Sequence, residues 1–202
     1  ASSADAQALV DTIATAAPGA TIRVAGNCSG GGLPLSLTAP ITISGGYTTS
    51  DWSTANSTAQ PTILDGLGNS QEINVSGQFQ VTLQEMILRN GNAEHGGGVR
   101  VGSTLVLNAG TIISDSSALG NGGGVLVSGT PTATLIVQGG QILSNTATNG
   151  GGVAVIGSGN VLTMSSGTLS DNLALGPDGI VNNGSDGQGG GIYNTGAVWI
   201  TG

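Results

Sequence analysis

Apolar residues alternate with polar or small ones in short runs along most of the chain, and in its second half the runs come in ordered sets. STLVLNAG from Ser103, ATLIVQGG from Ala133 and NVLTMSSG from Asn160 each put every second residue on one side of an extended strand. Each run follows a shorter apolar stretch that sits behind three glycines: HGGGVRV from His95, NGGGVLV from Asn121 and NGGGVAV from Asn149, with a fourth such phrase, QGGGIYN, from Gln188. A third phrase places an aliphatic residue three positions before Asn or Asp, in Ile87 to Asn90, Ile112 to Asp115, Ile142 to Asn145 and Leu169 to Asn172. The unit is therefore three short strands separated by glycine or polar turns.

The glycine triplets begin at Gly96, Gly122, Gly150 and Gly189, in steps of 26, 28 and 39 residues. Periods of roughly 20–50 residues mark stacked repeats. Without a helical 3.6-residue pattern between the strands, the repeat predicts an all-β right-handed parallel β-helix, in which each turn of chain is one rung. The alternation points Val99, Val101, Leu105, Leu107, Val125, Val127, Leu135, Val137, Val153, Val155, Leu162 and Met164 into a narrow aliphatic interior. Asn90, Asp115, Asn145 and Asn172 are expected to superpose as one ladder of hydrogen-bonded side chains. The 38 glycines fit the need for many tight corners. A phosphate-binding reading of the triplets fails because no lysine follows them.

The remaining chain extends the same scheme. TIRVAG, LPLSLTA, ITISGGY, PTILDG, INVSG and VTLQEMILRN supply less regular rungs over residues 20–94, ahead of the regular repeats of 95–202, so residues 1–202 read as one domain. Residues 1–19 differ. From Ala4 to Ala17 apolar residues fall at helical spacing until Pro18 and Gly19, which predicts an amphipathic helix capping the open first rung.

The helix followed by PGATIRVAG resembles the start of pectate-lyase-like right-handed β-helix proteins. The GGGV or GGGI phrase with I-x-x-N resembles the repeats of polymorphic outer-membrane protein adhesins, with Ile or Leu where those repeats usually carry Phe. The resemblance implies a secreted or surface-exposed β-helix. That superfamily holds enzymes as well as adhesins, so function has to come from the sites.

The chain has 3 basic and 11 acidic residues, a net charge of −8, and no lysine, which disfavours nucleic acid as a partner. No apolar run approaches the roughly 18 residues of a membrane span. Sparse charge and a surface rich in Ser, Thr, Asn and Gly suit an extracellular or cell-surface setting. No catalytic pair is expected: Asp115 in one rung is followed by Asn145 in the next, and His95 reads as a solvated turn residue. Arg89 is expected to pair with Glu85 and Arg100 with Glu94, and Cys28 to be buried.

Two insertions interrupt the rungs. Residues 47–60 carry Tyr47 and Trp52, candidates for contact with a surface glycan or another partner, the alternative being that Trp52 folds back over the wall. Residues 176–188 carry Asp178 and Asp186, a weak candidate for Ca²⁺ beside a plain polar loop. Val198, Trp199 and Ile200 fall in a rung that lacks its third strand, which predicts an edge completed by further chain or by the next copy in an end-to-end filament. The expected function is structural or adhesive and non-enzymatic. The rival is a carbohydrate-binding or carbohydrate-active β-helix.

Overall fold

The computed structural model describes residues 6–30, 32–179 and 187–201. Among them are one helix, Ala6–Thr15, and nineteen strands in a fifteen-stranded and a four-stranded sheet, with every pairing parallel and made to the next turn of chain. The protein is an all-β parallel solenoid.

Alternation fixes what faces inward, and register stacks it. On the first wall Leu35, Ile73, Val99, Val125, Val153 and Ile192 lie above one another. The second wall stacks Ile22, Ile43, Leu83, Leu107, Val137, Met164 and Ile200. The third stacks Cys28, Leu64, Leu88, Ile113, Ile142 and Leu169. Of the twelve residues the alternation points inward, eleven are fully buried and Met164 packs partly buried against them. Each fully buried Val or Leu contributes about 1.5–3 kcal/mol, so stability accumulates rung by rung. Cys28 is buried, as expected.

The helix closes one end of this stack. Ala6 and Leu9 are buried, Val10, Ile13 and Ala16 pack against the core, and the helix rests on Thr21–Ala25, Asn27–Ser29 and Leu35–Leu37. Its described part is shorter than the Ala4–Ala17 of the sequence reading. The chain leaves the helix through a turn in which Gly19 adopts φ +84° and Ala20 N–H donates to Ala17.

Each residue of a glycine triplet has its own reason. The first, as in Gly122, adopts positive φ, +72° there. The second must be bare because a Cβ on Gly123 would collide with backbone oxygens of Thr146 and Gly151. At the third, a Cβ on Gly124 would meet the side chain of Asn145, and one on Gly152 that of Asn172. The triplet is thus a corner against which a short fourth strip packs, with Ala93, Ala118, Ala147 and Ala174 in register.

The single ladder of Asn90, Asp115, Asn145 and Asn172 is corrected by this register. Ser114 pairs with Arg89 and with Leu143, so Asn90 and Asp115 share a row with Ser144 and Asp171, and all four adopt φ between +53° and +57°. These are left-handed turn residues, a conformation that Asn and Asp tolerate better than most. The interior row is one residue further on: Gly91, Ser116, Asn145 and Asn172. The offset arises at the doublets Ile87-Leu88 and Ile112-Ile113, whose second members, Leu88 and Ile113, are the ones fully buried. In the third and fourth phrases the inward residues are Ile142 and Leu169 themselves.

Candidate functional site

The insertion after Tyr47 leaves the second wall where the strand Thr42–Tyr47 ends, at an irregularity that pairs Ala25 with Tyr47. The chain folds back at once, with Asn56 N–H donating to Gly46 O at 2.7 Å and the Ser57 hydroxyl to the Glu85 carboxylate. Asp51 N–H donates to Thr48 Oγ1 at 2.9 Å, and Asp51 Oδ1 accepts from Ser53 N–H at 2.8 Å and from the Ser53 hydroxyl. The Ser53 hydroxyl and N–H hold the Asp51 carboxyl below its ordinary range. Local side-chain bonds of this kind fix a loop that has no core of its own.

This framework presents an aromatic pair. Tyr47, buried, and Trp52, 42% exposed, stack with ring centroids 6.1 Å apart and planes inclined by 23°. The Arg23 guanidinium lies 5.5 Å from the Tyr47 ring centroid and donates from Nη1 to Trp52 O at 2.6 Å. Arg23 reaches the loop because it faces outward between inward-pointing Ile22 and Val24. Trp52 therefore neither stands free nor folds flat over the wall: one face leans on Tyr47, and much of the indole remains open.

Cavities adjoin the pair. One of about 270 Å³ lies between helix and loop, lined by Ala8, Leu9, Thr12, Ile22, Arg23, Val24, Ala25, Cys28, Thr49 and Trp52. Another of about 260 Å³ is lined by Ala25, Gly26, Tyr47, Thr48, Thr49, Gln60 and Pro61. They share Ala25 and Thr49. An apolar floor with a few polar groups and an aromatic flank is the usual make-up of a small-ligand site.

The other sequence-predicted residues lie elsewhere. His95 is half-buried at its corner, and its Nδ1 accepts from Asn121 N–H at 3.0 Å. Arg89 does not pair with Glu85. Its Nε donates to Asp65 Oδ2 at 2.8 Å, because Asp65 ends the strand Ile63–Asp65 in register with Arg89 one rung back, while Glu85 bonds Ser57. That is the one ion pair among the described residues, so Arg100 and Glu94 form none. Asp178 lies in the insertion of 176–188, and Asp186 falls outside the described residues. Among the described residues no three of His, Cys, Asp and Glu gather into a possible metal site, and no helix is long and apolar enough to cross a membrane. Val198 packs against the core, whereas Trp199 and Ile200 are 63% and 61% exposed.

Two residues escaped sequence reading. Arg23 gave one signal, an isolated cation in the middle of an alternating run. Glu72 gave another: it stands directly before the run INV, where the other rungs carry the last glycine of the triplet, and it is fully buried. Compared with known proteins, the chain matches no family model, no curated protein and no solved structure.

Proposed function

We propose that the chain is an extracellular, non-enzymatic right-handed β-helix whose wall is a rigid support and whose loop of residues 47–60 is an adhesive contact for a surface glycan. The observation that carries this reading is the half-exposed indole of Trp52, held in place by Tyr47 and by Arg23. A rigid, partly open aromatic face receives the C–H face of a sugar ring, while the neighbouring Thr48, Thr49 and Gln60 offer hydroxyl and amide partners to its oxygens. Holding the ring in advance lowers the ordering cost of binding. The right-handed winding is supported by the strong preference of parallel crossovers for that hand. The extracellular setting is supported by the low charge and the lack of lysine, and by the resemblance to pectate-lyase-like proteins and to adhesin repeats.

The test is tryptophan fluorescence during titration with plant and bacterial polysaccharides, in a Trp199→Phe background that leaves Trp52 as the only indole. Saturable change with Trp52, lost in Trp52→Ala, is the expected result. Release of reducing or unsaturated ends from any polysaccharide would instead favour the carbohydrate-active rival. End-to-end association is a second reading, favoured by the exposure of Ile200, which continues the inward row of Met164 on the strand Ala197–Ile200 and which a further rung, from this chain or another copy, would cover. Sedimentation of the protein across a wide concentration range tests it.

A further inference from the structure

At the corner between the third strand and the glycine triplet, the space beside the last glycine is filled from opposite sides in different rungs. In later rungs the third glycine is bare, and a side chain from the opposite side of the corner fills the gap: Asn145 against Gly124, and Asn172 against Gly152. In the rung of Glu72 the arrangement is reversed. Glu72 stands where Gly98 stands in the next rung, and Gly91 stands where Ser116 does. A Cβ on Gly91 would collide with the Glu72 carboxylate, so the missing side chain makes room for the acid.

Glu72 thereby enters the interior ladder at its head. Asn145 Nδ2 donates to Asn172 Oδ1 at 3.1 Å, Ser116 N–H donates to Asn145 Oδ1 at 3.0 Å, and the Ser116 hydroxyl faces Glu72 Oε1 at 3.5 Å. That hydroxyl has one proton and a shorter alternative, Ser114 O at 3.0 Å. Glu72 Oε2 is buried with no hydrogen-bond partner. The groups against it from the neighbouring turns, Gly91, Gly98 and Ser116, carry no charge. The charge bearing on it is that of Asp65, which is like-signed, and Arg89 is held by Asp65 instead.

We propose that Glu72 is a proton-operated lock: the folded solenoid carries it as the neutral acid, and loss of that proton loosens the corner between Gly91 and Gly98. An ionised carboxylate with no counter-charge is among the costliest groups to bury. Burial, and to a lesser degree Asp65, pushes the carboxyl up to about 9 against the weaker opposing effects of a backbone hydrogen bond and of Ser116. Between the ordinary glutamate value and that value the folded chain holds a proton that the unfolded chain has lost. Stability therefore falls as pH rises through this window, and below it Glu72 imposes no penalty.

Infrared difference spectra and unfolding of the intact protein test the proposal. At neutral pH the wild type should show the C=O stretch of a protonated carboxylic acid, absent from Glu72→Gln. The unfolding constant of the wild type relative to Glu72→Gln should rise by up to about tenfold per pH unit from about pH 5 to about pH 9. Protection of the amides of Gly91, Gly98 and Ser117 against hydrogen exchange, taken relative to Glu72→Gln at each pH so that base catalysis cancels, should fall in the same window. Glu72→Met, uncharged and of similar length, gives a second proton-free reference should Glu72→Gln fail to fold. Absence of the acid band at neutral pH, or parallel pH profiles for wild type and either variant, would overturn the proposal.

Discussion

The side-chain amide of Asn145 donates to Oδ1 of Asn172, 3.1 Å away on the next rung, and also to Ile113 O at 3.0 Å, while its own Oδ1 accepts from Ser116 N–H. One fully buried side chain thus serves the backbone of one rung and the amide of another. Asn145→Ala removes the acceptor of Ser116 N–H in the interior and should cost about 1–3 kcal/mol. Asp115→Asn is the control. Asp115 sits in the turn row at φ +53°, where Asn is equally at ease, so that change should stay within about 0.5 kcal/mol. Urea unfolding of both variants distinguishes the observed register from a single ladder, which would assign the two residues equal weight.

How far the sequence could be read follows from these same residues. Period-2 alternation identifies an inward face without ambiguity in STLVLNAG or ATLIVQGG, where polar residues separate the apolar ones, and those side chains are buried as expected. In Ile112-Ile113 two adjacent apolar residues satisfy either frame. Only pairing with Ile142, which has Gln141 before it, selects Ile113. The exchange of Glu72 for a corner glycine was visible as an interruption of the repeat, but burial of an acid runs against the general rule, and its compensation by Gly91 lies 19 residues away in sequence. Arg23 and Trp52 meet through a hydrogen bond to a backbone carbonyl, an acceptor that every residue carries and that no motif records.

Acid should weaken the protein through Asp65. Burial pushes this carboxyl up, but hydrogen bonds from Asn90 Nδ2, Leu67 N–H and Arg89 Nε, with the Arg89 charge, outweigh it and hold the group below its ordinary value. A depressed folded value means that the stabilisation is complete above the unfolded value of 3.8 and disappears as pH falls through the folded one. Asp65→Asn should flatten the acid limb of a stability profile and cost about 1 kcal/mol at neutral pH, since Arg89 is 42% exposed and its pairing is partly screened. Because Glu72 acts with the opposite sign from its ordinary value of 4.5 upward, these two groups together favour a stability maximum at the ordinary carboxylate range, between 3.8 and 4.5. Thermal melts across pH, in wild type and Asp65→Asn, measure both limbs.

Glycines of the triplets should differ in their tolerance of a methyl group. A Cβ at Gly123 would collide with backbone oxygens of Thr146 and Gly151, which cannot swing aside as a side chain can, so Gly123→Ala should destabilise by about 1–3 kcal/mol. At Gly191, in the same alignment as Gly98, Gly124 and Gly152, a Cβ meets nothing within 4 Å and φ is not left-handed. Gly191→Ala should leave the melting temperature essentially unchanged. Equal losses at both sites would mean that the corners are constrained by backbone conformation alone rather than by contact with the next strip.

The row at the outer corner, His95, Asn121, Asn149 and Gln188, predicts that histidine is replaceable there. His95 Nδ1 accepts Asn121 N–H at 3.0 Å, and further along Asn149 Oδ1 accepts Gln188 N–H at the same distance, while Asn149 Nδ2 reaches Asn121 Oδ1 at 3.3 Å. An asparagine oxygen thus does at one rung what an imidazole nitrogen does at another. His95→Asn should hold stability within about 0.5 kcal/mol, whereas His95→Ala, which leaves Asn121 N–H without its acceptor, should cost about 1 kcal/mol. Thermal melts of wild type, His95→Asn and His95→Ala at neutral pH check both values. Equal losses in the two variants would show that the asparagine oxygen does not take over the bond to Asn121 N–H, and no loss in either would show that Asn121 N–H is held by something other than His95.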